Sequence, residues 1–206
     1  MRNRRKTTAI IISADEIKKS LPGYSPNIAE QFHNKSAKLA DKEFEKQIRK
    51  SSYKNVILLN GGTASGKTEF ILTQLANKKV IIFDGTMPTN KGAKIKIKAI
   101  LKEGKNTSIY SVIPDNLRRA FIAFLNRDRK FSDAHFYRTH SLSRKTLLYI
   151  AQHYPFIKIN IIESSYDRKN KLLFSRLDFE KPDDLIKHLV EIQLSEDDII
   201  KLINIV

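Results

Sequence analysis

Short runs of consecutive aliphatic and β-branched residues recur along the chain, separated by longer stretches in which apolar residues return every three or four positions. Thr8 to Ser13 (TAIIIS) is the first run, without the polar alternation of a half-exposed strand, and it predicts a strand buried on both faces. NVILLN from Asn55, KKVIIFDGT ending at Thr86, TSIYSVIP ending at Pro114 and IKINIIESS ending at Ser165 repeat the pattern. Between the first two, SPNIAEQFHNKSAKLADKEFEKQIRKS predicts one long helix, with Ser25 as N-cap and Pro26 at its first position. Ile28, Phe32, Leu39, Ala40, Phe44 and Ile48 form its apolar face. KTEFILTQLAN, NKGAKIKIKAILKEG (closed by Gly104), DNLRRAFIAFLNRDRKF and SRKTLLYIAQHYP read as further helices. The tail predicts an edge strand, LLFSRLDF, and one or two closing helices.

Strands alternating with helices imply a three-layer α/β fold, a mostly parallel five-stranded sheet with helices on both faces. The 206 residues suit one domain of three parts: 1–50, a strand and a helix; 54–165, the core; and 172–206, a cap.

The stretch LLNGGTASGKTEF contains chemistry. Gly61, Gly62, Thr63, Ala64, Ser65, Gly66, Lys67 and Thr68 match G-x-x-x-x-G-K-[ST] between a predicted strand and a predicted helix, the context that gives this motif its meaning. Its glycines let backbone N–H groups approach phosphates, Lys67 supplies a point charge and the Thr68 hydroxyl a Mg²⁺ ligand. A nucleoside triphosphate, with ATP and Mg²⁺ as the expected pair, follows. Asp84 ends an apolar strand, where either a second Mg²⁺-organising carboxylate or a substrate-facing group would stand.

A net charge of +16 attracts polyanions, but the lysines are spread through almost every segment, so the charge alone names no partner. The absence of cysteine excludes disulfide and thiol chemistry and fits a reducing cytosol, hence a cytoplasmic expectation. The basic start leads into an apolar run too short for a signal peptide, and no run approaches the roughly 18 apolar residues of a membrane span.

A kinase needs a carboxylate to accept the acceptor's proton and positive charge on the moving phosphoryl group. Asp15, just past the first strand, suits the first task. RDRKFSDAHFYRTH, a mobile-looking segment, offers Arg127, Arg129, Lys130 and Arg138 for the second; the same run also reads as a solvated basic helix terminus. His135 and His140 within it would touch substrate or order a lid. His33, His153 and His188 read as surface or boundary residues, and no spacing argues for zinc. No water-orienting residue of a hydrolysing NTPase is evident.

SADEIKKSLPGY with its following FHNKSAKLAD, VIIFDGT, and FLNRDRKF…FYRTH, taken with the loop, resemble the zeta-toxin family of P-loop kinases over roughly residues 8 to 165. The resemblance implies a parallel sheet with flanking helices and phosphorylation of a small-molecule hydroxyl, in well-studied members that of UDP-N-acetylglucosamine. It implies Asp15 as general base, Lys67 and Thr68 as phosphate and Mg²⁺ residues, and Arg127 with Arg138 as the phosphate clamp, or Arg129 in place of Arg127 in a register slipped by two. Asp15, Lys18, Asp84 and Thr86 become the substrate-binding set, and an antitoxin a possible partner. Two features depart from the family. Lys35 stands where relatives carry a substrate-binding glutamate, and the family order of loop, base motif and acid-Gly-Thr is here base motif, loop, acid-Gly-Thr. If the base strand lies beyond the acid-Gly-Thr strand, the permutation leaves every strand in place and reroutes only connections.

Three functions follow in order: a small-molecule kinase, a polynucleotide or nucleoside kinase, and an ATP-binding regulator without transfer activity. The lack of clustered aromatics for base stacking disfavours the second.

Overall fold

The computed structural model describes residues 8–204. Its strands are β1 (Ile10–Ser13), β2 (Asn55–Asn60), β3 (Ile81–Asp84), β4 (Asn106–Pro114), β5 (Lys158–Tyr166) and β6 (Leu172–Leu177). They form a single sheet in the order β1-β3-β2-β4-β5-β6, parallel throughout except for β6, which runs antiparallel to β5. The helices are α1 (Ala14–Lys19), α2 (His33–Lys50), α3 (Lys67–Phe70), α4 (Asn90–Lys102), α5 (Leu117–Leu125), α6 (Asp133–His153), α7 (Pro182–Glu191) and α8 (Glu196–Asn204). Among the described residues no helix is long and apolar enough to cross a membrane.

Alternate residues of each strand serve opposite faces. Leu58, Ile81, Phe83, Ile109 and Ile161 pack under α2, α4 and α6, which contribute Phe44, Ile48, Ile97, Ile100, Leu147 and Ile150. Ile57, Leu59, Ile82, Val112 and Ile162 face the other way, onto Phe70, Ile71 and Leu75. Those last residues belong to α3 and to the π-helical turn, Ile71–Leu75, that continues it. A third cluster joins α5, α6 and α8 through Leu117, Phe124, Phe136, Ile199 and Ile203.

β1 lies at the sheet edge beside β3, so the condition for a harmless permutation is met. The chain leaves β1, crosses by α2 to β2, and returns through α3 to insert β3 between them. The pairing Ser13↔Asp84 sets the carboxyl ends of β1 and β3 level.

Three expectations need correction. The sheet has six strands rather than five, because the expected edge strand joins it as β6. The helix expected from Pro26 begins at His33: Pro26–Ile28 form a 3₁₀ turn, Ala29 is fully buried, and Phe32 meets Tyr24 edge-on at 5.7 Å. The chain must bend there to bury both, and that outweighs local helical propensity. The segment expected to be mobile is helical from Asp133 onward. The expected cap ends at Val206, outside the described residues.

Phe44 is 1% exposed and meets Phe83 edge-on at 5.1 Å, the contact that seats α2 on the sheet. Phe44→Ala is expected to lower unfolding free energy by about 3–5 kcal/mol in a denaturant titration. Leu72→Ala, at a side chain 60% exposed, should stay within about 0.5 kcal/mol.

Candidate active site

The loop after β2 is shaped by what leaves no room for side chains. Gly61 has φ +131°, and a Cβ there would collide with the Val112 carbonyl; a Cβ at Gly62 would overlap the His140 ring. Gly66 has φ +88°, a region open to glycine at little cost. Around the loop, the Thr63 N–H donates to Thr139 Oγ1 at 3.1 Å, and Ser164 Oγ donates to the Ser65 carbonyl at 2.9 Å. Asn60 anchors its base, with Nδ2 donating to the carbonyls of Thr86 and Ser143 and Oδ1 accepting from Ser111 Oγ at 2.8 Å. His140 Nε2 lies 2.8 Å from the Thr63 carbonyl. A carbonyl only accepts, so Nε2 carries the proton.

Lys67 is 9% exposed, and its Nζ donates to the carbonyls of Gly61 at 2.8 Å and Gly62 at 2.6 Å. Burial pulls its pKa down to about 8, against the opposing pull of Asp84. Burial likewise raises the Asp84 carboxyl, with Lys67 working in the other direction.

Asp15 sits in the first turn of α1, immediately after β1. Its carboxylate pairs with Arg129 and accepts from Lys18 Nζ at 3.2 Å. Burial works to raise its pKa, but Arg129 and Lys18 together outweigh that, and the carboxyl lies below its ordinary value. Lys18 is fully buried, with its ammonium 4.7 Å from the centre of the Phe131 ring.

The segment between α5 and α6 closes over these groups. Arg127 Nη1 donates to Thr63 Oγ1 at 3.0 Å. The Lys130 N–H donates to the Pro26 carbonyl at 3.0 Å, and Ser132 donates to the Glu30 carboxylate through N–H at 3.0 Å and Oγ at 2.9 Å. The lid is thus tied to the chain that follows α1.

A cleft of about 100 Å³ results, lined by Ser13, Asp15, Lys67, Thr68, Asp84 and Thr86 among others, with Arg127 and Arg129 over it. An open groove of about 730 Å³ adjoins it and shares Asp15, Thr68, Asp84, Arg127 and Arg129. Thr68 and Asp84 offer hard oxygen donors within one cleft. Among the described residues no group of three or more His, Asp or Glu could cage a metal, but Mg²⁺ commonly takes one or two protein oxygens with phosphates and water. The residues present fit it.

Arg138 is not brought to the cleft. It is exposed on α6, two positions from buried Phe136 and two from buried His140, about 200° away from each on a helical wheel. Arg129 stands at the site in its place, beside Arg127. Lys35 is exposed on α2 and does not line the cleft. His33, expected at the surface or at a boundary, is half-buried and lines the cleft with His135 and Phe131. The two imidazoles meet edge-on at 5.3 Å, and His135 stacks on Phe131 at 4.5 Å. Burial, then the neighbouring His33, brings His135 down to about 4, and burial followed by Lys18 lowers His33, so both are neutral at pH 7. Periodicity missed His33 because the bend at residues 29–32, which turns it inward, leaves no sequence signal.

No family model matches the chain, and no curated protein does. Solved structures do. The chain aligns with the AvrRxo1-ORF1:AvrRxo1-ORF2 complex crystallised with ATP at a TM-score of 0.50 and 11% identity, over 85% of this chain and 80% of that one. The same complex with sulphate ions aligns at 0.50 and 11%, over 80% and 73%. A structure of the PezAT chromosomal toxin-antitoxin system of Streptococcus pneumoniae aligns at 0.43 and 11%, over 94% and 72%. At such identity the AvrRxo1 likeness is one of fold alone, a mostly parallel sheet with helices on both faces.

Proposed function

We propose that the protein is an ATP-dependent kinase that transfers the γ-phosphoryl group to a hydroxyl of a small molecule. One observation carries this reading: Asp15, Lys67, Asp84, Arg127 and Arg129, from four separate segments, line one cleft at the carboxyl ends of β1, β2 and β3. Fold-level likeness to a complex crystallised with ATP supports ATP as donor. Backbone N–H groups of Ala64 to Thr68 would cradle the phosphates, with the Lys67 ammonium turning from the loop carbonyls to the phosphate oxygens. Mg²⁺, held by Thr68 and Asp84, would neutralise charge on the β- and γ-oxygens.

The acceptor oxygen bonds to the γ-phosphorus as the bond to the β–γ bridging oxygen breaks and ADP departs. Asp15 takes the hydroxyl proton. Arg129 and Lys18 keep it ionised, and its weak basicity suffices because a loose phosphoryl-transfer transition state asks little of the base. Arg127 and Arg129 stabilise charge on the moving phosphoryl group. Glu69 and Asp128 line the adjoining groove, where Glu16 is paired with Lys19, and weigh against a polynucleotide acceptor, whose phosphates they would repel. A nucleotide sugar such as UDP-N-acetylglucosamine is the acceptor that the zeta-toxin resemblance suggests, and an antitoxin the partner.

The decisive experiment incubates the protein with labelled ATP and a metabolite extract and identifies the labelled product; a pool with no phosphorylated product refutes transfer. Asp15→Asn is expected to cut transfer on the order of a hundredfold or more with ATP affinity nearly unchanged, and retained turnover would remove Asp15 from the role of base. Arg127→Ala should cost roughly a hundredfold in kcat/KM, whereas Arg138→Ala should leave it within about twofold. Equal losses in the two would contradict the placement of the clamp.

Lys67 adds a pH dependence. With its pKa at about 8, the free protein loses this proton as pH rises through that value, and bound phosphates restore it. ATP binding should therefore take up a proton above pH about 8 and weaken as pH rises further. Calorimetry in buffers of different ionisation enthalpy measures the uptake; proton release would reverse the assignment.

A further inference from the structure

A cavity of about 420 Å³ opens where α6, α7 and α8 pack beside the carboxyl ends of β4 and β5, and it shares no lining residue with the cleft or the groove. Its walls are mainly apolar, with Leu117, Ile161, Leu177, Ile192 and Leu202 prominent among them. Arg144 also lines it, although the residue is only 5% exposed. Its Nη1 donates to the His140 carbonyl at 2.9 Å and lies 3.4 Å from His140 Nδ1. Its Nε has no acceptor among the described residues, and no carboxylate there forms an ion pair with it. Burial pulls the guanidinium to about 10, which leaves it charged at neutral pH. A buried cation without a counter-ion is costly, and a carboxylate is a group that would neutralise it.

We infer that this cavity is a binding site for a small organic monoanion, a carboxylate on an apolar body anchored by Arg144, and that its occupancy is transmitted to the phosphate-binding loop through His140. The volume falls within the range of small-molecule sites. Asp115, Arg118, Glu163 and His188 also line the cavity. With two acids among them, a single negative charge is favoured over the several of a nucleotide. The route to the loop is short. Because His140 Nε2 donates its proton to the Thr63 carbonyl, Nδ1 is left to accept from Arg144, and the imidazole lies against Gly62 with no space for a Cβ between them. A carboxylate that draws the guanidinium toward the cavity alters the bond to Nδ1 and with it the seat of the loop. This inference is independent of the phosphoryl acceptor.

The test titrates the whole protein with hexanoate, hexan-1-ol and hexylamine by calorimetry. Hexanoate should bind saturably, with the alcohol and the amine weaker by roughly tenfold or more. Leu202→Trp, at a wall position 44% exposed, should abolish hexanoate binding without touching Arg144, and Arg144→Met should remove the preference for the anion. Hexanoate should also shift the amide resonances of Gly62 and Thr63 in the wild type and not in Leu202→Trp. Equal binding of the three probes, no binding, or binding that survives Leu202→Trp overturns the site, and unmoved loop resonances overturn the transmission. If Arg144→Met fails to fold, Leu202→Trp and the probe series decide the matter.

Discussion

The buried ammonium of Lys67 is the constraint around which the loop, and the site above it, is organised. A lysine withdrawn from water needs acceptors, and here it takes the carbonyls of Gly61 and Gly62 together with Ser65 Oγ at 3.3 Å. Those carbonyls can turn inward only because Gly61 tolerates φ +131° and because Gly62 lies flat against the imidazole of His140. His140 is fully buried and hydrogen-bonded to the loop; burial, followed by the charge of Arg144, keeps it well below its ordinary pKa and therefore neutral. A charged imidazole there would add to the cations that already act on it, Arg144, Lys67 and Arg127. The loop is thus held from beneath by α6 and from the side by Ser164 of β5.

Strand order gives this loop its neighbours. With β1 outside β3, Ser13 and Asp84 stand level at adjacent strand ends and Asp15 follows two residues beyond Ser13, in the first turn of α1, while the loop rises from β2 on the other side of β3. The chain before the loop reaches the lid as well, since Pro26 and Glu30 receive Lys130 and Ser132. An N-terminal position for this segment is therefore compatible with an intact cleft: what matters to the chemistry is where strand ends lie, and a parallel sheet allows different connection orders to place the same ends side by side.

The sequence made the parallel strands legible because each is an uninterrupted apolar run, and the loop legible because its residue types are each required by phosphate chemistry. Asp15 and Asp84 followed from the rule that sites gather at strand ends. Arg138 and His33 show where such rules stop. Helical periodicity begins only where the first helical residue is known, and Asp133 starts α6 ten residues before the apolar repeat at SRKTLLYIAQHYP becomes evident. That offset turns Arg138 to solvent and brings His135 and His140 inward. The bend before α2 has a purely tertiary cause, the burial of Ala29 and the packing of Tyr24 on Phe32, so His33 could not be placed from local pattern. The cavity at Arg144 was illegible for a similar reason, since its walls come from β4, β5, β6, the start of α5, α6 and the helices of the tail.

Arg129 has a double position on the proposed reading. Its guanidinium pairs with Asp15, the proposed base, yet it lies over the cleft in which the γ-phosphoryl group would move. Arg127 lies on the same short segment, attached to Thr63 of the loop. Incoming phosphate charge would draw both arginines toward the loop: Arg127 would exchange a bond to a neutral hydroxyl for a stronger, charge-assisted one, and Arg129 would exchange one anionic partner for another. When Arg129 turns to phosphate, Asp15 keeps Lys18, which is buried beside it, and so stays ionised while one face of its carboxylate becomes available to a hydroxyl. Donor binding would then expose the base at the moment an acceptor can be used. The same movement loosens nothing else, since Ser132 and Lys130 hold the lid to Glu30 and Pro26 independently of Arg129. On the proposed reading such a cleft would favour ordered addition, donor first, and the ordering would have a local electrostatic cause that requires no change in the sheet.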